Sequence, residues 1–364
     1  MSPLAVYVHI PFCPSKCGYC DFNSFALEGE IVDRTVRAII QEILTSPHRG
    51  RPAKTVFFGG GTPTFLSAAQ LGEILHAVTE VHPPVASCEI TSEANPGTVD
   101  AEKFRGMRAA GFNRLSLGAQ SFHPGDLMRL GRVHQAHEVG LAVKAGREAG
   151  FDNLNLDLMF ALPGQSPKAW QHNLDLALSL KPDHLSLYCL TIESNTRFNR
   201  LNQRGMLHLP DDELQTQMYE QACESMAQAG LQQYEISNFG RPCEHNLCYW
   251  RAEEYAGYGP GAVGRVGMLR TTKMKHPERY CEAVETGGEL CCDQEVLTEE
   301  MLQREMLMLG LRLNSGIDPR AVEHDATRLN QMVDKGWLTA TPECIALTPA
   351  GRHFCNEVIV ELMP

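Results

Sequence analysis

The sequence predicts an α/β fold: a partial (β/α)6, TIM-like barrel over residues 1–235, a connecting region over 236–290, and a small helical, winged-helix-like domain over 291–364. Three observations predict it. Short apolar or β-branched runs alternate with helical patterns, the signature of a parallel sheet covered by helices. The unit repeats internally: Ala110-Gly-Phe-Asn-Arg-Leu-Ser-Leu117 is echoed by Ala149-Gly-Phe-Asp-Asn-Leu-Asn-Leu156. After residue 290 the alternation stops and an amphipathic helical pattern takes over.

Six strands are expected, at Ala5–Ile10, Thr55–Phe58, Cys88–Glu93, Arg114–Gly118, Asn153–Phe160 and His184–Leu190. In both copies of the echo a helix ends at glycine, where a left-handed cap is sterically free, and an aromatic leads into the strand. This is a β/α register repeat and not a solenoid. The helix before the sixth strand begins at Ser166, a capping residue, with Pro167 where a missing N–H is harmless. Trp170, Leu174 and Leu178 share one helical face, which assigns Trp170 to the core. Lys181-Pro182-Asp183 ends that helix. Beyond 290, Glu299–Leu313 reads as an amphipathic helix. Gly336-Trp-Leu338 and Ile345-Ala-Leu-Thr-Pro-Ala-Gly351 read as helix plus wing. Such modules often bind DNA, but from Val296 onward six Lys and Arg stand against ten Asp and Glu. That balance repels phosphates, so a structural or protein-contact role is expected and nucleic acid is not a partner.

The 364 residues suit one large domain or a large and a small one, and 43% apolar residues supply a sizeable core. A net charge of −12 argues against an anionic-membrane or nucleic-acid surface. The 13 cysteines are odd in number and lack a disulfide-like framework. No basic segment with an apolar signal core opens the chain, and no apolar stretch is long enough to span a bilayer. The expectation is a soluble cytoplasmic protein, in a reducing compartment where thiolates persist.

Cys13, Cys17 and Cys20 stand in His9-Ile-Pro-Phe-Cys-Pro-Ser-Lys-Cys-Gly-Tyr-Cys-Asp-Phe22, with no fourth cysteine close by. Three thiolates on one loop can hold three irons of a [4Fe–4S] cube and leave the fourth open to a ligand. Zinc is the competing reading. Structural zinc takes four closed ligands, usually as two separated pairs, and only His9 is at hand to complete a set. Cysteines this close rarely reach disulfide geometry.

Barrel ligands sit at the carboxyl ends of the strands. Gly59-Gly60-Gly61-Thr62-Pro63 follows the second strand, Glu93 ends the third, Gln120 ends the fourth, and Asp157 lies in the fifth among Leu156, Leu158 and Met159. Consecutive glycines let backbone approach a ligand closely. A carboxylate in an apolar strand needs a partner or a function. Arg132, after the fourth strand, is either that partner or a bidentate clamp for a ligand carboxylate. S-adenosylmethionine would use all of these groups. Its amino acid end can chelate the open iron, its amine needs carboxylate or carbonyl acceptors, its ribose needs polar side chains, and its adenine needs a backbone edge. The hard chemistry, one-electron cleavage at the sulfonium, belongs to the cofactor; the protein supplies orientation and dryness.

Taken together, His9-Ile-Pro-Phe-Cys13, Gly59-Gly-Gly-Thr-Pro63, Glu93-Ala-Asn-Pro96, Arg114-Leu-Ser-Leu-Gly-Ala-Gln120 and Asp157-Leu-Met-Phe-Ala-Leu-Pro-Gly164 resemble the radical S-adenosylmethionine superfamily. The nearer resemblance is to the branch containing oxygen-independent coproporphyrinogen III oxidase and related heme chaperones, and it covers nearly the whole chain. It implies that Tyr7 and Tyr19 flank the cofactor and that Gly60 and Glu93 hold S-adenosylmethionine beside the open iron. Gly61, Thr62, Gln120, Arg132 and Asp157 match residues around a second such molecule in the oxidase. Two departures point toward the chaperones and away from porphyrinogen decarboxylation. Phe22 stands where the oxidase has a further cysteine, and Cys13 lies almost at the start whereas the oxidase carries an N-terminal extension.

His245-Asn-Leu-Cys-Tyr-Trp250 resembles the chaperones' His-Asn-x-x-Tyr-Trp motif. The resemblance implies His245 as a heme ligand, with Tyr249 and Trp250 as flat faces for the macrocycle. Read without it, the same residues form a packed polar corner. The implied function is a heme carrier on a radical-enzyme scaffold, with [4Fe–4S], S-adenosylmethionine and heme as cofactors. Its implied partners are an acceptor hemoprotein, a respiratory one included, a transient membrane-protein contact and a second copy of the chain. Coproporphyrinogen III oxidation, or other radical chemistry such as methyl transfer, is the alternative. Cys281, Cys291 and Cys292 are assigned to packing.

Overall fold

The computed structural model describes residues 2–363. Six parallel strands lie side by side in chain order: β1 (Leu4–Ile10), β2 (Ala53–Gly60), β3 (Pro84–Ala94), β4 (Arg114–Gln120), β5 (Leu154–Phe160) and β6 (His184–Cys189). Each contains all or nearly all of an expected strand. Helices Glu30–Leu44, Ala68–Val81, Ala101–Ala110, Ala136–Glu148 and Pro167–Ser179 connect them. The predicted (β/α) partial barrel is therefore present.

Alternation along the strands explains the layers, because successive side chains point to opposite faces. Val6, Val8, Val56, Phe58, Leu115, Leu117, Leu154 and Leu156 are buried and join Ile39, Ile74, Phe104, Val139, Trp170 and Leu174 of the helices in one core. Each such side chain contributes roughly 1.5–3 kcal/mol on burial. The opposite face is polar. Tyr7, Phe57, Glu93, Arg114, Asn155, Asp157 and Ser186, drawn from all six strands, line a single chamber, so the sheet curls around an interior.

The capping signals hold. Ser166 accepts the Ala169 N–H, and Trp170 is fully buried with its indole N–H donated to the Met218 carbonyl at 2.9 Å. In the echo, Gly111 and Gly150 both take positive φ.

The sheet continues past both edges of the barrel. β7 (Asn238–Gly240) pairs antiparallel with β6. On the other side β8 (Tyr255–Tyr258) runs parallel to β1, followed by the antiparallel β9 (Val263–Val266), β10 (Leu269–Lys273) and β11 (Cys291–Val296). The whole is an eleven-stranded sheet. Helix Glu244–Trp250 packs against β2 and supplies His245, Asn246 and Tyr249 to the chamber.

The C-terminal module has its own core of Leu307, Leu311, Met332, Leu338, Ile345, Val358, Ile359 and Leu362. It consists of helices Glu299–Gly310, Ala326–Asp334 and Cys355–Leu362 with the hairpin β12 (Leu338–Ala340) and β13 (Ile345–Leu347). The first helix stops at Gly310, short of the expected Leu313, at a residue poorly suited to a helix interior. Among the described residues no helix is long and apolar enough to cross a membrane.

Candidate functional site

At the carboxyl ends of the strands lies a cavity of about 430 Å³. Cys13, Cys17, Cys20, Tyr19, Gly60, Gly61, Thr62, Glu93, Gln120, Arg132 and Asp157 all line it. Tyr7 and His245 do not. They line a smaller chamber of about 160 Å³, which shares Glu93, Ser116, Asp157 and Tyr188 with the cavity above. The sequence-predicted site residues thus occupy two adjoining levels of one barrel interior.

The cysteine loop is pinned by backbone. Cys13 N–H donates to the Phe25 carbonyl (3.1 Å), Gly18 N–H to Leu130 (2.9 Å) and Phe198 N–H to Gly18 (2.9 Å). Cys13 Sγ lies 3.4 Å from Thr62 Oγ1, and Arg132 Nη1 donates to Cys17 Sγ at 3.8 Å. Burial raises the Cys13 thiol, and pushes the Cys20 thiol up to about 11. Thiolates here therefore need positive charge beside them, which iron supplies. The three thiols border one cavity, together with Gly60, Glu93 and Arg132.

The glycine string makes room. Gly60 has φ +109°, and a Cβ there would stand 2.6 Å from the His9 ring. A Cβ on Gly61 would stand 2.5 Å from the Phe12 carbonyl oxygen. Gly60 N–H donates to Glu93 Oε2 at 3.3 Å. Burial, then the neighbouring Asp157, pushes the Glu93 carboxyl up to about 8. Asp157 is also raised by burial, held in place by Ser116 Oγ (3.0 Å) and Asn155 Nδ2 (2.8 Å). Arg114 is the cation nearest both carboxyls and works against the effect of burial; a ligand ammonium would add to it and favour the ionised forms. Arg132 donates to the Gly118 carbonyl through Nη2 (2.7 Å), while its buried Nε–H has no acceptor. An unsatisfied guanidinium N–H in the cavity wall fits a ligand carboxylate or hydroxyl. Gln120 adopts φ +63° as β4 ends.

The lower chamber encloses His245, which is 1% exposed. Its Nδ1 is 2.8 Å from Thr55 Oγ1, its Nε2 is 2.9 Å from the Tyr249 hydroxyl, and its ring stacks on Phe57 with centroids 5.0 Å apart. Burial, with Arg114 adding to it, lowers the imidazole to about 3, so it is neutral. A neutral imidazole is the metal-ligating form, but here both nitrogens are engaged. Ligation of heme iron by His245 requires one of these contacts to open. Phe22 is 60% exposed at the cavity mouth.

Some site residues escaped the sequence reading. Ser116 and Asn155 hold Asp157, and Arg114 is fully buried with its Nε unpaired and Glu89 at 3.9 Å. Glu89 in turn accepts the N–H groups of Glu244 and His245. The signal was present as period-two alternation: Arg114, Ser116, Gly118 and Gln120 are the inward positions of β4, and Asn155 and Asp157 those of β5.

The pattern of the Radical SAM superfamily matches residues 7–177, and that of the HemN C-terminal domain matches 297–354. "Heme chaperone HemW" of Bacillus subtilis (strain 168) is 40% identical over 370 residues, covering 97% of both chains. The chain belongs to the HemW family. "Heme chaperone HemW" of Escherichia coli (strain K12) is 38% identical, covering 99% of this chain and 98% of that one. Among solved structures, coproporphyrinogen III oxidase (HemN) from Escherichia coli superposes with a TM-score of 0.86 at 24% identity, over 100% of this chain and 90% of that one. That likeness shows the fold.

Proposed function

We propose that this protein binds heme and hands it to an acceptor hemoprotein, using a radical S-adenosylmethionine scaffold as the body of the carrier. One observation carries the reading: identity of 38–40% over essentially the whole chain to proteins named heme chaperones. Decarboxylation of coproporphyrinogen draws only on likeness of fold.

In this reading Cys13, Cys17 and Cys20 hold the [4Fe–4S] cluster. Gly60 and Glu93 receive the amino acid end of S-adenosylmethionine, Arg132 offers its free N–H, and Tyr19 walls the cavity. When bound, the pair would supply one-electron cleavage at the sulfonium. The protein's part is to exclude water, to hold the Glu93 proton until the ligand's cation arrives, and to keep the thiol loop rigid. Heme would be ligated by His245 once Tyr249 or Thr55 lets go. A hydrogen bond of this kind is worth about 0.5–1.5 kcal/mol net, a small barrier against an iron–imidazole bond.

Anaerobic reconstitution followed by heme titration tests the proposal. A Soret shift that is lost in His245→Ala is the expected result. No shift, or a shift indifferent to that substitution, overturns it.

A further inference from the structure

Helix Glu244–Trp250 is held at both ends by parts of the molecule outside itself. At its N-terminus Glu89 of β3 accepts the N–H groups of Glu244 and His245, both at 3.2 Å. At its C-terminus Trp250 turns away from the chamber toward the C-terminal module. There the Arg312 guanidinium lies over the indole, 4.8 Å from the ring centroid. Arg312 sits on a fixed segment: Asn314 N–H donates to the Tyr234 carbonyl (3.0 Å) and Asn314 Nδ2 to the Gln233 carbonyl (2.6 Å).

The contact has an unusual composition. Trp250 Nε1–H and Arg312 Nε–H are both buried without an acceptor. Buried donors left unpaired are costly, and both regain hydrogen bonds with water if the contact opens. Cation–π attraction keeps it shut, while hydration of the two N–H groups favours opening. Such a contact is closer to balance than a hydrogen-bonded one.

We infer that Arg312 is a positioning residue for heme handling: by clamping Trp250 it keeps the helix seated and His245 enclosed, and its release exposes the imidazole. The inference rests on the heme-carrier reading, but its first test does not involve heme. Amide hydrogen exchange is measured on the full chain as wild type, Arg312→Met and Arg312→Lys. Arg312→Met is expected to speed exchange in residues 247–250 about tenfold, the scale set by one desolvated cation–π contact, and to leave Cys355–Leu362 unchanged. Arg312→Lys, which keeps a cation over the ring, is expected to fall between. Heme association by stopped flow is expected to quicken in the same order. Unchanged exchange in 247–250, or equal loosening of Cys355–Leu362, overturns the inference. Faster exchange in a protein that never binds heme supports the clamp and defeats only the carrier reading.

Discussion

Glu93→Gln should separate stability from binding. The Glu93 carboxyl is partly buried in the cavity wall, accepts the Gly60 N–H at 3.3 Å, and is raised from 4.5 to about 8 by burial and by Asp157. The sign follows from the two states. Above pH 4.5 the unfolded chain releases this proton while the folded chain keeps it until about pH 8, so wild-type stability falls across that window. At about 1.4 kcal/mol per pKa unit, the loss is on the order of 5 kcal/mol by pH 8. Glutamine is isosteric, still accepts from Gly60 and never ionises. The cluster-free variant should match wild type near pH 5 and exceed it by several kcal/mol near pH 8, read by urea unfolding at each pH. The reconstituted variant should bind S-adenosylmethionine more weakly, since losing a charged acceptor costs about 1.5–3 kcal/mol, roughly 10- to 150-fold. Equal stability curves for the two proteins, or unchanged affinity, would refute the reasoning.

Three other outcomes follow from the geometry. Gly61→Ala drives a Cβ to 2.5 Å from the Phe12 carbonyl oxygen; over-packing of this kind costs about 1–3 kcal/mol. A lower melting temperature and weaker S-adenosylmethionine binding by calorimetry are expected. Tyr249→Phe removes the hydroxyl from His245 Nε2, so heme association in stopped flow should quicken by up to about tenfold; no change would mean that this bond does not guard the imidazole. Trp170→Ala removes a fully buried indole and its bond to Met218, with an expected loss of about 3–5 kcal/mol by denaturant titration.

The barrel was legible because its outer face is written in apolar residues at every second position, and because Ser166-Pro167 and the two Ala-Gly-Phe turns mark helix ends. The cysteine loop and the glycine string were legible as chemistry. Less legible were β8 to β11. They are only four to six residues long, and they join the sheet through β8, which pairs with β1, a partner far away in sequence. The enclosure of His245 was equally out of reach. It depends on Thr55, Phe57 and Tyr249 meeting from separate elements. Arg114 opens the Arg-Leu-Ser-Leu strand pattern, but its burial follows from facing inward on β4, and only strand phase reveals that. The Arg312–Trp250 contact joins two elements that the sequence shows as unrelated.

The open cluster remains the foundation of the site, and electron paramagnetic resonance of the anaerobically reconstituted, reduced protein addresses it directly. The expected result is equal iron and labile sulfide, with a cluster signal that moves when S-adenosylmethionine is added and disappears when Cys13, Cys17 and Cys20 are changed to serine. Stoichiometric zinc, no metal uptake, or a signal indifferent to S-adenosylmethionine would contradict it.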